Sequence, residues 1–187
     1  MRMDRVHSLG DSWTCIEAGG VKRGWEVYAG LEPAHRHGIP GSTAAQWAET
    51  GSKILAAALA TMEHGDIVFV SLSGNDFRHA IADGVLTPLE VDDACGFLAC
   101  AIRSLREAGM RVIVMGYANP WPDNDMAPAV ANSLCEMIRR VANENDAKYF
   151  DVARHLVMPD HFDGRDFHPT EAGHRAIAAA VIQEVNG

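Results

Sequence analysis

The feature that most constrains this chain is the alternation of short apolar runs with long amphipathic segments. "DIVFVSLS" (66–73) and "RVIVMG" (111–116) are β-branched runs closed by serine or glycine, as in strands buried on both faces of a parallel sheet. "AKYFDV" (147–152) is a weaker third. "DRVHSL" (4–9) is weaker still, because His7 and Ser8 interrupt its apolar character. Between these runs lie helical patterns. From Thr43 to His64, the residues Ala44, Trp47, Ala48, Leu55, Ala58, Leu59 and Met62 recur on one face. Thr87-Pro88-Leu89-Glu90 is a capping box with proline at the first helical position, and Gly109 stops the helix it opens. Pro128 to Asn143 carries Val130, Leu134, Met137, Ile138 and Val141, and Thr170 caps a last helix with Ile177, Val181 and Val185. Strands separated by helices of this length imply right-handed crossovers and a parallel sheet with helices on both faces. One α/β domain over residues 1–187 is expected, with no internal repeat or linker.

Composition excludes several classes. A formal net charge of −9 without a basic run argues against nucleic acid or an anionic membrane surface as partner. The cysteines Cys15, Cys95, Cys100 and Cys135 show no CxxC spacing, so reduced thiols are expected rather than disulfides or zinc ligands. The N-terminal "MRMDRVHSLGDS" lacks the apolar stretch of a secretory signal. No apolar run approaches the ~20 residues of a membrane span, so a cytoplasmic protein is expected without membrane insertion.

In parallel α/β sheets, sites gather at the carboxyl ends of strands. That filter selects four polar segments: "GDS" (10–12), "GIPGST" (38–43), "SGND" (73–76) and "DGRDFHPTEAGH" (163–174). Their chemistry is complementary. A serine, Ser12, attacks an acyl carbon if a base removes its proton, and His168 is the candidate base. The backbone N–H groups of Ser12 and Gly41 and the amide of Asn75 are candidate donors to a tetrahedral oxyanion, where each donor is worth roughly 10²–10³ in rate. Glycine suits position 41 because a close backbone approach tolerates no Cβ.

These four segments, in this order, resemble the SGNH (GDSL) hydrolase superfamily, over residues 5 to about 185. Ser12 matches its nucleophile, Gly41 its oxyanion glycine, Asn75 its oxyanion asparagine and His168 its catalytic histidine. The resemblance implies a flavodoxin-like three-layer α/β/α sandwich with parallel sheet order 2-1-3-4-5. It also implies ester or acyl hydrolysis with no metal and no other cofactor. The sequence departs from the family at Arg165, where an aspartate usually stands three residues before the histidine. In an extended segment residues two apart share a side, which favours Asp166 as the orienting acid. Gly164 would instead let Asp163 fold back, and a Ser–His dyad oriented by a backbone carbonyl is the third option. A second departure is Ser73, at a position often occupied by glycine; it either narrows the pocket or hydrogen-bonds within its loop.

Other polar residues read as structural. Asp11 is a turn-stabilising acceptor, Asp76 a cap or loop tie, and His174 a packing or solvent-facing residue. His7 has no assigned role. His161, Asp163, Asp166, His168 and His174 lack the one-turn histidine spacing of zinc hydrolases, so no metal is expected. Trp47 is core. Trp121, in "YANPWPDND" (117–125), is a candidate pocket wall. The expected function is hydrolysis of small acyl or acetyl esters, thioesters included, through an acyl-enzyme. The alternative is a catalytically impaired flavodoxin-like binding module that keeps the pocket. Acyl preference and oligomeric state are not legible.

Overall fold

Burial on both faces selects the β-branched runs as central strands. In the computed structural model, which describes residues 3–18, 21–77, 87–118, 126–157, 159–162 and 168–187, seven strands form. They are β1 (Val6–Gly10), β2 (Ile16–Ala18), β3 (Val21–Arg23), β4 (Arg36–Gly38), β5 (Ile67–Ser71), β6 (Arg111–Met115) and β7 (Lys148–Phe150). Between them lie α1 (Trp25–Tyr28), α2 (Ala44–Ala48), α3 (Lys53–Leu59), α4 (Pro88–Glu107), α5 (Met126–Glu144) and α6 (Glu171–Asn186). The main sheet runs β4-β1-β5-β6-β7, every neighbouring pair parallel. Counted within that sheet, the order is 2-1-3-4-5, as the resemblance implies. The short β2–β3 pair is an antiparallel hairpin outside it.

All five residues of β1 and of β5 are buried. The polar residues of β1 survive burial because each finds a partner. Ser8 donates to Glu26 Oε2 at 2.5 Å. His7, 1% exposed, sits 3.2 Å from Asp66 Oδ2 through Nε2 and 3.3 Å from His37 Nε2 through Nδ1. Burial, and then the charge of His35, push the His7 imidazole below its usual pKa. A histidine that looked out of place in the sequence is thus a hydrogen-bonded tie between β1, β4 and the entry to β5.

Ser8 pairs with Phe69, and Trp25 of α1 meets Phe69 edge-on at 5.7 Å, so α1 covers that face together with α6. On the other side α2 packs on α4, and α4 on α5. This is the doubly wound arrangement, in which the chain changes sides next to β1.

The helix starts follow their signals. Thr87 makes the capping box with Glu90, Thr43 makes another with Gln46, and Gly109 ends α4 in the left-handed region at φ +89°. The pattern from Thr43 to His64, expected as one helix, is instead two. Gly51 adopts φ +78°, and the Ser52 side chain accepts from Leu55 N–H to start α3 afresh. Likewise β2, β3, α1 and β4 are elements that the apolar runs do not mark. The four cysteines are free thiols, Cys15 buried and the others half-buried. No described helix is long and apolar enough to cross a membrane.

Gly10 closes β1 where a Cβ would stand 2.2 Å from the Ser71 carbonyl oxygen. Because that neighbour is backbone and cannot swing aside, Gly10→Ala is expected to destabilise the fold by roughly 3 kcal/mol, the upper range for overpacking. A urea denaturation midpoint indistinguishable from the parent's would contradict this packing account.

Candidate active site

The site begins where β1 ends in a sharp turn. The Gly10 carbonyl accepts from Ile39 N–H at 2.8 Å and from the Ser42 hydroxyl at 3.3 Å. Asp11 N–H donates to the Ser71 carbonyl at 2.9 Å, and the Asp11 carbonyl accepts from Thr14 and Cys15 N–H at 3.1 and 3.3 Å. This single helical turn holds Ser12 half-buried at its outer side while the Asp11 side chain points inward. One Asp11 carboxylate oxygen accepts from Trp13 N–H at 2.9 Å and from Ser71 Oγ at 3.4 Å, and the other accepts from the Tyr117 hydroxyl at 2.6 Å. Asp11 is therefore the turn acceptor expected of it. Burial pushes its carboxyl up to about 6, against the hydrogen bonds from Tyr117, Trp13 and Ser71. Burial and the neighbouring Asp11 charge hold the Tyr117 phenol well above its ordinary pKa, so it remains a donor.

Two further loops meet this turn. Gly41 adopts φ +78° and is exposed, with no protein atom within 4 Å of where a Cβ would lie. Glycine is required there by the left-handed backbone rather than by crowding. Next to it, the Ser42 carbonyl accepts from Asn75 Nδ2 at 2.9 Å, and Ser42 Oγ accepts from Trp47 Nε1 at 3.0 Å. Asp76 acts as the expected loop tie, accepting from Ala44 N–H at 2.8 Å. An amide nitrogen carries two hydrogens, so the bond to Ser42 uses only one of the two that Asn75 can donate. Of the two roles expected of Ser73, a hydrogen bond within its loop is not made: its hydroxyl is buried with no partner among the described residues, and its backbone sits at φ +86°. That conformation costs roughly 1–2 kcal/mol for any residue with a Cβ, a cost glycine would not carry.

The fourth segment arrives from the opposite end of the sequence. His168 Nε2 lies 2.7 Å from Ser12 Oγ, across a separation of 156 residues. The segment is fixed by Thr170, whose N–H donates to the His161 carbonyl at 2.9 Å and whose side chain caps α6 through Gly173 N–H at 3.3 Å. Phe162 packs on Trp13 at 6.0 Å between ring centroids, which ties this segment to the turn around Ser12. His174, expected to pack or face solvent, is 3% exposed, and neither ring nitrogen has a hydrogen-bond partner among the described residues. Burial, then the His168 charge, lowers it to about 4, so it is neutral near pH 7. Asp163, Arg165 and Asp166 lie outside the described residues, as does Trp121.

A hydroxyl 2.7 Å from an imidazole nitrogen can pass its proton as it attacks, and Gly41 and Asn75 stand on the loops hydrogen-bonded to the same turn. Among the described residues no group of three or more His, Cys, Asp or Glu could hold a metal ion. Two residues with structural importance escaped the sequence reading. Ser42 hides inside "GIPGST". Tyr117 opens "YANPWPDND", and only the strand-end filter applied to β6 would have pointed to it.

The model of the GDSL-like lipase/acylhydrolase family matches residues 8–176. No curated protein sequence matches the chain. Among solved structures, the acetylxylan esterase Axe2 from Geobacillus stearothermophilus is 16% identical, with a TM-score of 0.72, covering 97% of this chain and 94% of that one. A catalytic mutant of the same enzyme is 17% identical with a TM-score of 0.74, covering 97% of this chain and 94% of that one. The acetyl xylan esterase AlAXEase is 18% identical with a TM-score of 0.72, covering 96% and 98%. At these identities the likeness speaks to the fold.

Two stability measurements test the site's anatomy. Ser73→Gly removes a left-handed Cβ and an orphaned hydroxyl, offset by the chain entropy of glycine. It is expected to stabilise by about 1 kcal/mol in urea unfolding, and a destabilised variant would refute the strain. His174 has a folded pKa below its unfolded value of 6.5, so its contribution to stability is full above pH 6.5 and is lost as pH falls towards 4. Relative to His174→Leu, the parent should lose about 2 kcal/mol between pH 7 and pH 5. Parallel pH profiles for the two proteins would show that His174 does not titrate this way.

Proposed function

We infer that this chain, which belongs to the GDSL-like lipase/acylhydrolase family and is a carboxylic ester hydrolase, turns over small acyl esters through an acyl-enzyme on Ser12. The single observation that carries the reading is the 2.7 Å approach of His168 Nε2 to Ser12 Oγ. His168 takes the Ser12 proton as the oxygen attacks the ester carbonyl. The developing oxyanion is held by Ser12 N–H, Gly41 N–H and the second hydrogen of the Asn75 amide. His168 then returns the proton to the leaving alcohol, and water activated by the same imidazole clears the acyl group. No metal or other cofactor enters these steps.

An acid that fixes the His168 tautomer completes the machinery, and Asp166 is the first candidate with Asp163 the second. Catalytic mutants of the Geobacillus stearothermophilus enzyme replace a serine, an aspartate or a histidine, the aspartate three residues before the histidine. That position is Arg165 here, which leaves Asp166, Asp163, or a Ser–His dyad oriented by a backbone carbonyl. The acetylxylan esterases among the structural neighbours favour acetyl groups on carbohydrate hydroxyls as substrate class. Thioesters are the secondary class to assay. The partner implied is a small-molecule ester, and the function is carried out in the cytoplasm. A pocket retained without turnover is disfavoured by the intact Ser12–His168 contact.

With p-nitrophenyl acetate as substrate, Ser12→Ala and His168→Ala are expected to lose roughly 10³-fold or more of kcat. A fluorophosphonate should label the parent on Ser12 and spare Ser12→Ala, with activity unchanged by EDTA. Asp166→Asn should cost up to about 10⁴-fold if that acid orients His168, with Asp163→Asn near the parent value, and the reverse if Asp163 does. Turnover surviving in Ser12→Ala would end the proposal.

A further inference from the structure

Between the turn that presents Ser12 and the loop that presents Asn75 lies one buried phenolic oxygen, contributed by a strand that supplies none of the four signature segments. Tyr117 follows β6 and is 5% exposed. Its hydroxyl donates to Asp11 Oδ2 at 2.6 Å and accepts from Gly74 N–H at 3.2 Å, with Ser71 Oγ 3.5 Å away. Asp11 immediately precedes Ser12, and Gly74 immediately precedes Asn75. The other Asp11 oxygen accepts from Trp13 N–H, so the carboxylate grips the chain on both sides of Ser12. The ring repeats the same connection through packing. It meets Trp13 edge-on at 5.0 Å, and it lies so close to Gly74 that a Cβ there would fall 2.9 Å from ring carbons.

The geometry points to Tyr117 as a positioning residue that sets the distance between the nucleophile and the oxyanion loop, through the bridge Asp11–Tyr117–Gly74. The inference rests on the esterase reading of Ser12 and Asn75. Its physical basis is preorganisation: donors stabilise a developing oxyanion only if they are already in place when charge appears. A hydroxyl that donates to one loop and accepts from the other fixes their separation more tightly than either loop could alone. The gripping side stays charged above about pH 6, where Asp11 is ionised and the Tyr117 bond to it is strongest. Tyr117 never reaches the substrate, so its loss should leave ground-state binding intact and weaken the transition state.

Tyr117→Phe keeps the ring against Trp13 and Gly74 and removes only the oxygen. With p-nitrophenyl acetate at pH 8, the variant is expected to lose at least tenfold in kcat with KM within twofold of the parent. Inhibition by phenylboronic acid, which forms a tetrahedral adduct on a nucleophilic serine, should weaken by a similar factor. A bridge that served stability alone would lower the melting temperature and leave both values unchanged. Parent-like kcat and boronate affinity in a folded Tyr117→Phe protein, or a loss carried by KM, overturns the inference. Should that variant fail to fold, Asp11→Asn removes the charge that strengthens the bridge from the other side and is judged by the same two readouts. Ser12→Ala separates the two levels. If it retains turnover, the esterase reading fails; if it is inactive while Tyr117→Phe behaves as the parent, only the bridge fails.

Discussion

The buried carboxylate of Asp11 is the joint on which the site turns. It lies at the end of the strand beside which the chain changes sides of the sheet, and it takes hydrogen bonds from Trp13, Ser71 and Tyr117. A carboxylate in that position has lost its water and needs every one of those donors. The donors come from the turn after β1, from β5 and from the segment after β6, so satisfying one charge draws three strand ends together. Ser12 projects from the same turn, with His168 within hydrogen-bond distance.

Polar groups at this edge carry costs. Asp11 holds a raised pKa, while among the described residues Ser73 occupies a left-handed conformation with an unpartnered hydroxyl, and His174 is buried without a hydrogen bond. The first is offset by its donors; the other two have no visible compensation. Strain of this kind concentrates around functional sites because the apolar core supplies the stability that tolerates it. Here β5 and β6, β-branched and buried, form that reserve.

The layered fold was readable because periodicity and capping are local. β5, β6, α4 and α6 stand where "DIVFVSLS", "RVIVMG", Thr87 and Thr170 placed them. The strand-end filter selected Ser12, Gly41, Asn75 and His168, and the structure brings His168 to 2.7 Å from Ser12 and Asn75 to 2.9 Å from the carbonyl next to Gly41. What escaped depends on contacts made only in three dimensions. Nothing local marks Tyr117 as the partner of Asp11, 106 residues earlier, or explains why His7 sits in a buried strand before Asp66 and His37 are brought beside it. The break between α2 and α3 was legible in principle from "TGS" (50–52), but the apolar stripe running through it outweighed that turn signal.

The separation of 156 residues between Ser12 and His168 has a consequence for how the protein comes into being. Every pairing in the main sheet is parallel and non-local, so each closes a loop before its contacts reward it, and such topologies fold slowly. Until the C-terminal segment has docked, Ser12 lacks the His168 imidazole beside it. Recovery of turnover after denaturation is therefore a late clock for tertiary assembly, lagging behind any signal that reports helix content.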